Sequence, residues 1–400
     1  MHANQLKNQI LERLSRLPAG NSGTQALTIG VEHEFFLMNA QGAPCTHEEG
    51  QAFLECLSRL PGWHIHQTIE FQGRQTLWRV SRDHPDGRYT AVKYDHHPHL
   101  FEIAFTYTQS LQELYELIAV TLDSLHAVAL EVNCQVSDSS VLNVKPSDAS
   151  VLSAIQDFQD LRYYRAELFK KRRQSVCQDA TNYASVIAAT QTHIGGTRWW
   201  ENPSLVANLH LFEPALLIAG VPVDQRSDCR GFLRQRWTLF KKVFEGYPLA
   251  GYPDLSVWSI SNWVDALLRS PLSGGPTEPW AGQTLIETKT LPDESIDYFF
   301  RRVRDLQIIR PKLYGTLEFR ADPAQQDARA ILKVAARRLG LCAYLLEKTP
   351  DITPEAFVQA RLQWIEAFDA EPSERDSERL NRAARMGLEA RRRNEEAFLE

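Results

Sequence analysis

The sequence predicts an α+β protein in which a largely antiparallel sheet is flanked by helices. Two local patterns point there. Short runs that alternate apolar and polar residues are bounded by turn residues, including Asp86-Gly87, a dipeptide suited to a tight hairpin. Longer stretches, above all Leu111 to Val132 and the chain from Asp327 onward, carry apolar residues at helical spacing. Bulk composition agrees: with 43% hydrophobic and 24% charged residues in a chain of 400, disordered, collagen-like and coiled-coil classes drop out, and a large core is possible.

In order, Met1 to Leu17 places Leu6, Ile10, Leu11, Leu14 and Leu17 on one face among charges, an amphipathic helix and not a signal peptide. Pro18 to Gly23 is a turn-rich linker, so residues 1–23 form an N-terminal helix and linker. Leu27 to Met38 reads as a buried strand, followed by strands at Trp63 to Glu70, at Thr76 to Tyr94 folded back at Asp86-Gly87, and at His99 to Tyr107. Leu111, Leu114, Ile118, Leu122 and Leu125 then mark a helix that packs across the sheet.

Residues 135–182 are polar with one basic helix, and Val186 to Ile194 returns to strand character. Helices follow from Ser204 and from Gly231. Gly246 to Pro279, rich in Gly, Pro, Ser and Trp, reads as a long irregular loop of functional type. Leu313 to Ala321 is the last strand, and Pro354 to Glu400 reads as two charged helices. Residues 24–348 are thus taken as the catalytic domain, with 349–400 as a C-terminal helical segment packed on it.

A net charge of −6 carries no general polyanion-binding signal, and Lys170-Lys171-Arg172-Arg173 and Arg391-Arg392-Arg393 read as solvated helix faces, so no nucleic-acid partner is expected. The most apolar later stretch, Leu205 to Val223, contains His210, Glu213 and Pro214 and is a poor membrane span. Six scattered cysteines without a Cys-x-x-Cys pair suit reduced thiols in a cytoplasmic protein.

The chemistry-bearing pattern is a carboxylate set on strands. In Gly30-Val31-Glu32-His33-Glu34-Phe35, alternation sends Glu32 and Glu34 to one face, about 6–7 Å apart, and Val31, His33 and Phe35 to the other. In Leu100-Phe101-Glu102-Ile103-Ala104-Phe105, the large apolar residues leave Glu102 on the opposite face. In Gly315-Thr316-Leu317-Glu318-Phe319-Arg320, Thr316, Glu318 and Arg320 share the polar side. Any one of these glutamates alone would read as a solvent-facing residue. Several of them on apolar strands would be costly without neutralisation, and oxygen-rich ligands favour Mg²⁺ or Mn²⁺.

The Glu32-His33-Glu34 strand resembles the Glu-x-Glu opening strand of glutamate–cysteine ligases, including the bacterial carboxylate–amine ligases of the second such family. Asp95 stands seven residues before Glu102, a spacing that family also shows. Gln191-Thr192-His193-Ile194-Gly195 is similar to its His-Val-Gly strand. Arg310-Pro311 followed by Gly315 to Arg320 is similar to its closing motif; Gly231 to Gly251, with Arg236 and Phe240, and Arg382 to Ala390 match more loosely. The sequence departs from the family pattern at Gln191, where many members have histidine, at Met386, where tyrosine is common, and in His96 to Phe101, which lacks an acidic residue.

The resemblance implies a glutamine-synthetase-like sheet, ATP as substrate and two to three Mg²⁺ or Mn²⁺ ions. By position, it implies Glu32, Glu34, Asp95, Glu102, His193 and Glu318 as metal ligands. Arg236, Arg310 and Arg320 would meet phosphate or a substrate carboxylate, with Glu318 and Arg320 as the catalytic pair. The implied reaction activates an acid, such as the side chain of glutamate, and joins it to an amine such as that of cysteine. Small-molecule acid and amine are then the partners, with no membrane, and a homodimer stays open.

A specialised ligase using another acid or amine, and a catalytically silent metal- or nucleotide-binding regulator, remain the alternatives; the intact Glu32, Glu34, Glu102 and Glu318 argue against silence. A zinc peptidase motif fails at Leu37, no phosphate-binding Gly-rich loop is present, and His96, His97 and His99 read as a solvated loop ahead of a substrate-facing loop or a site for a softer metal. Trp199, Trp200 and the Trp258 to Trp263 aromatics read as packing residues.

Overall fold

The strands are Thr28–Asn39 (β1), Trp63–Phe71 (β2), Arg74–Asp83 (β3), Tyr89–His97 (β4), Leu100–Phe105 (β5), Cys134–Ser137 (β6), Ala189–Gly195 (β7), Ala250–Gly251 (β8), Leu306–Gln307 (β9), Ile309–Pro311 (β10) and Leu317–Pro323 (β11); alternation marks β1 to β5, β7 and β11 and does not mark the short β6, β8, β9 and β10. They come from a computed structural model that describes residues 2–17, 23–71, 73–137, 139–142, 185–244, 250–251, 259–288, 291, 295–303, 306–348, 352–359 and 374–400. The basic run at 170–173, the expected basic helix, Cys177 and Trp258 lie outside the described residues.

The main sheet is antiparallel in the order β10-β11-β7-β1-β5-β4-β3-β2, with β6 added beside the end of β1; β8 and β9 form a separate two-residue parallel pair. The fold class expected from the sequence is therefore the one observed: a mixed chain with a largely antiparallel open sheet and flanking helices. The opening strand is central, held on one side by β5 and on the other by β7.

One face of this sheet is apolar. Phe35 of β1 stacks on Phe101 of β5 at 5.6 Å, and Phe53 of the helix His47–Ser58 meets both rings edge-on. That helix occupies a stretch where alternation predicts no strand; it opens on a capping box in which Thr46 and Glu49 satisfy each other's backbone N–H groups. Leu111–Glu131 and Ala328–Glu347 complete the cover. Buried His33 faces the same way and meets Thr190 Oγ1 at 3.0 Å; burial pushes its pKa down to about 3.

Four expectations change. The strand placed at Leu313 to Ala321 is interrupted: Lys312 N–H bonds Thr316 O, Gly315 takes φ 93°, and residues 312–316 form the turn of a β10–β11 hairpin. Within the supposed irregular region, Ile260–Arg269 is a helix capped by Ser259. It buries Trp263, Val264, Leu267 and Leu268, with Trp263 at 5.1 Å from Trp199, because its apolar residues recur at helical spacing. His97 and His99 are buried at the β4–β5 turn, not solvated, and His99 Nε2 lies 2.8 Å from Ser185 O. Arg391 is also buried, where a solvated face was expected. Its guanidinium donates to the carbonyls of Thr24, Leu27 and Gln109 and pairs with Glu395.

The helix Glu374–Ala390 crosses Ala328–Glu347 at two glycines. A Cβ on Gly387 would lie 1.8 Å from the Gly340 carbonyl oxygen, so only glycine permits this approach. The described cysteines are free thiols, with Cys45 Sγ and Cys134 Sγ buried 3.3 Å apart. Among the described residues no single helix is long and apolar enough to cross a membrane.

Candidate active site

The opposite, polar face is ordered by register. Glu318 stands across from His193, His193 across from Gly30, and Glu318 also across from Arg310. Two residues along β1, Glu32 faces Gln191, and two further Glu34 faces Glu102, which in turn faces Lys93 on β4. Paired residues in an antiparallel sheet point to the same side, so six adjacent strands deliver their polar side chains to one surface.

Glu32, His193 and Glu318 converge: one ligand atom from each lies within 4.8 Å of the others. Neither ring nitrogen of His193 makes a well-formed hydrogen bond, and Nε2 stands 3.4 Å from Glu32 Oε2. Gly30, opposite His193, lets Tyr107 lie close; an added Cβ would sit 3.0 Å from its ring, which meets the His193 ring edge-on. Glu318 is nearly covered and is met by three cations, Arg320, Lys312 and, at 3.7 Å, Arg310. Burial alone would raise its pKa, but Arg320, Lys312 and Arg310 together hold it well below the usual carboxylate range. For Glu32, burial is likewise outweighed, by the His193 ring, and its pKa falls.

Two residues further along β1 and across to β5, the balance differs. Burial, then the charges of Asp95 and Glu102, push Glu34 well up; its carboxylate accepts from Ala189 N at 2.8 Å and Gln191 Nε2 at 2.9 Å. Burial and Glu32 push Glu102 up to about 8 even though Lys93 Nζ lies 3.1 Å away. Lys93 itself is raised: burial opposes this, and Glu102 and Asp95 more than offset it. Asp95 stands at an irregularity of β4, where register shifts between Tyr94 and His97.

No known family model matches this sequence, and no curated protein matches it. Among solved structures, a bifunctional glutathione synthetase from Pasteurella multocida aligns with 98% of this chain at a TM-score of 0.44 and 13% identity. The chain spans about half of that protein's length, 51%.

The structure thus brings Glu32, His193, Glu318, Arg310 and Arg320 into one cluster, and sets Glu34, Glu102 and Asp95 beside it around Lys93. Arg236 is placed differently. Fully buried, it donates to the carbonyls of Ser140, Ala188 and Asp322, and burial lowers its pKa to about 10. Lys93, Lys312 and Tyr107 were not anticipated from the sequence. Lys93 had a usable signal, since Lys93 and Asp95 alternate with Val92 and Tyr94; Lys312 sits in a turn, where no periodicity exists.

Two carboxylates and an imidazole lacking a well-formed hydrogen bond suit a divalent ion that accepts oxygen and nitrogen, Mn²⁺ as well as Mg²⁺. Three cations gather around Glu318, so positive charge is concentrated on the Glu318 side of the polar face, while Glu34, Glu102 and Asp95 lie on the Lys93 side; the local cationic patch suits a polyanionic ligand such as a triphosphate.

Proposed function

We propose that this chain is an ATP- and divalent-metal-dependent carboxylate–amine ligase that forms an amide through an acyl phosphate, acting on glutamate and an amine in the manner of glutamate–cysteine ligases. The observation that carries this reading is the convergence of Glu32, His193 and Glu318 beneath Arg310, Lys312 and Arg320 on one sheet face. The sequence resemblance supplies the reaction class.

Glu32, His193 and Glu318 would hold the divalent cation, whose charge would screen the phosphate oxygens from an attacking carboxylate. Arg320 and Lys312, fixed by Glu318, offer N–H donors to charge that builds on the transferring phosphoryl group without reorganising during the step. Arg310, on the neighbouring strand, adds a further positive charge. A carboxylate oxygen bonds to the γ-phosphorus as the bond to ADP breaks. The amine then bonds to the acyl carbon, the carbon–oxygen bond to phosphate breaks, and amide, inorganic phosphate and a proton are released.

The test is ADP release with glutamate and single candidate amines, with mass spectrometry of products. Carboxylate-¹⁸O glutamate should pass label to the released phosphate. Unlabelled phosphate during amide turnover would rule out the acyl phosphate, and ADP release that needs no acid or amine would rule out the ligase.

A further inference from the structure

Two carboxylates that face each other across a sheet repel, and inside a protein the repulsion is felt through a low dielectric, so such pairs persist with a counter-charge or by keeping a proton. Glu34 and Glu102 are such a pair: register partners on β1 and β5, both buried, with Asp95 adding a third negative charge nearby. The counter-charge is on the next strand. Lys93 is the register partner of Glu102, and its ammonium lies 3.1 Å from Glu102 Oε1. Glu34 is engaged from its other side, one oxygen by Ala189 N and the other by Gln191 Nε2. The neighbouring cluster is unlike this one, for among the described residues only Glu32, His193 and Glu318 bring three ligand atoms within reach of a single ion.

We propose that Lys93 is a built-in cation that takes the place of a second metal ion, so that the site binds one divalent ion, at Glu32, His193 and Glu318, and none between Glu34 and Glu102. This rests on the metal-dependent reading above and departs from the two to three ions that the family resemblance implies. A tethered ammonium differs from an ion in one functional respect: it cannot dissociate. The Glu34–Glu102 side of the site therefore keeps one fixed positive charge at any metal concentration, and metal dependence reduces to a single binding event. Lys93 acts through these carboxylates and is a positioning residue.

The experiment counts Mn²⁺ bound to the full chain without nucleotide, by electron paramagnetic resonance of the free ion. Wild type and Lys93→Arg should bind one ion per chain, and Lys93→Met should bind a second. Glu318→Gln should abolish the single wild-type ion and Glu34→Gln should leave it. Two ions in the wild type, or one in a Lys93→Met variant whose circular dichroism shows it folded, would overturn the proposal. If Lys93→Met does not fold, the wild-type count and the Glu34→Gln and Glu318→Gln pair still decide. Loss of the wild-type ion in Glu34→Gln but not in Glu318→Gln overturns it. No bound ion in the wild type would overturn the metal-dependent reading itself, a different failure from an extra ion.

Discussion

Glu318 and Asp322 stand four residues apart on β11, and each is met by arginine. Around Asp322 the charges are closed off. Arg338, with no exposed surface, donates from Nε and a terminal nitrogen to Asp322 at 2.9 and 2.8 Å and pairs with Glu213, while its guanidinium covers the Phe319 ring at 4.8 Å. Around Glu318 they are left open. Arg320 Nε has no hydrogen-bond partner, His193 makes no well-formed bond, and the side chains of Arg310 and Glu32 keep 23% and 31% of their exposure. A structural cluster spends every donor within the protein; a cluster built for a ligand holds donors back.

A bulge separates the two. Between Phe319 and Asp322 the register with β7 slips by one residue, so Asp322 pairs with Thr190 on the helix-covered face, where simple alternation would have put it beside Glu318 and Arg320. The extra residue sends one acid to the core and leaves the other at the site.

The contrast can be broken by substitution. Glu318→Gln should lower turnover in the proposed ligase reaction by on the order of a thousandfold while the protein stays folded, read as kcat beside the melting temperature. Arg338→Met should do the reverse: it strands two buried acids and should cost about 3–5 kcal/mol in denaturant unfolding, with surviving folded protein retaining metal affinity. If both variants damage stability and turnover equally, the distinction fails.

Arg320→Lys keeps the charge and loses the planar fork, and should reduce kcat by roughly a hundredfold with an unchanged melting temperature. Near-normal kcat with lowered stability would instead make Arg320 a simple partner of Glu318.

The smallest effect is in pH dependence. His33 and His210 are buried with pKa values near 3, below the ordinary 6.5, so the unfolded chain takes up their protons first. Their contribution is complete above pH 6.5 and is lost as pH falls towards 3. Glu102 has the opposite sign: raised from 4.5 to about 8, it favours the folded metal-free protein most below pH 4.5, and that contribution is lost as pH rises through 8. Each group contributes at most about 1.4 kcal/mol per pH unit. In melting curves across pH, His33→Gln should flatten the acidic limb and Glu102→Gln the limb from 4.5 to 8; no change in either limb would contradict the assignments.

Period-two alternation carried the site's outline. It puts each of Glu32, Glu34, Glu102 and Glu318 on the polar side of its own strand, because a half-buried strand must alternate; the pairing register brings those sides together. It could not reveal Asp322's reversal, since a bulge leaves no mark in the pattern, nor Lys312, which reaches Glu318 from a turn. Arg236 and Arg391 show a related blind spot: an isolated arginine looks the same in sequence whether it meets a ligand or, as here, closes over backbone carbonyls. The capping box at Thr46 and Glu49 and the apolar spacing around Trp263 were readable, but they are local signals and say nothing of which sheet face the helix covers.

The hold of Arg391 on Thr24, Leu27 and Gln109 joins positions up to 367 residues apart. During synthesis β1 leaves the ribosome before β7 and Arg391 are made, so one of its edges waits for β7 and its entry turn waits for Arg391. At an elongation rate of about 5–20 residues per second, that is on the order of half a minute in which the central strand has an unpaired or loosely anchored edge. Until then the chain depends on whatever shields the waiting edge from its neighbours.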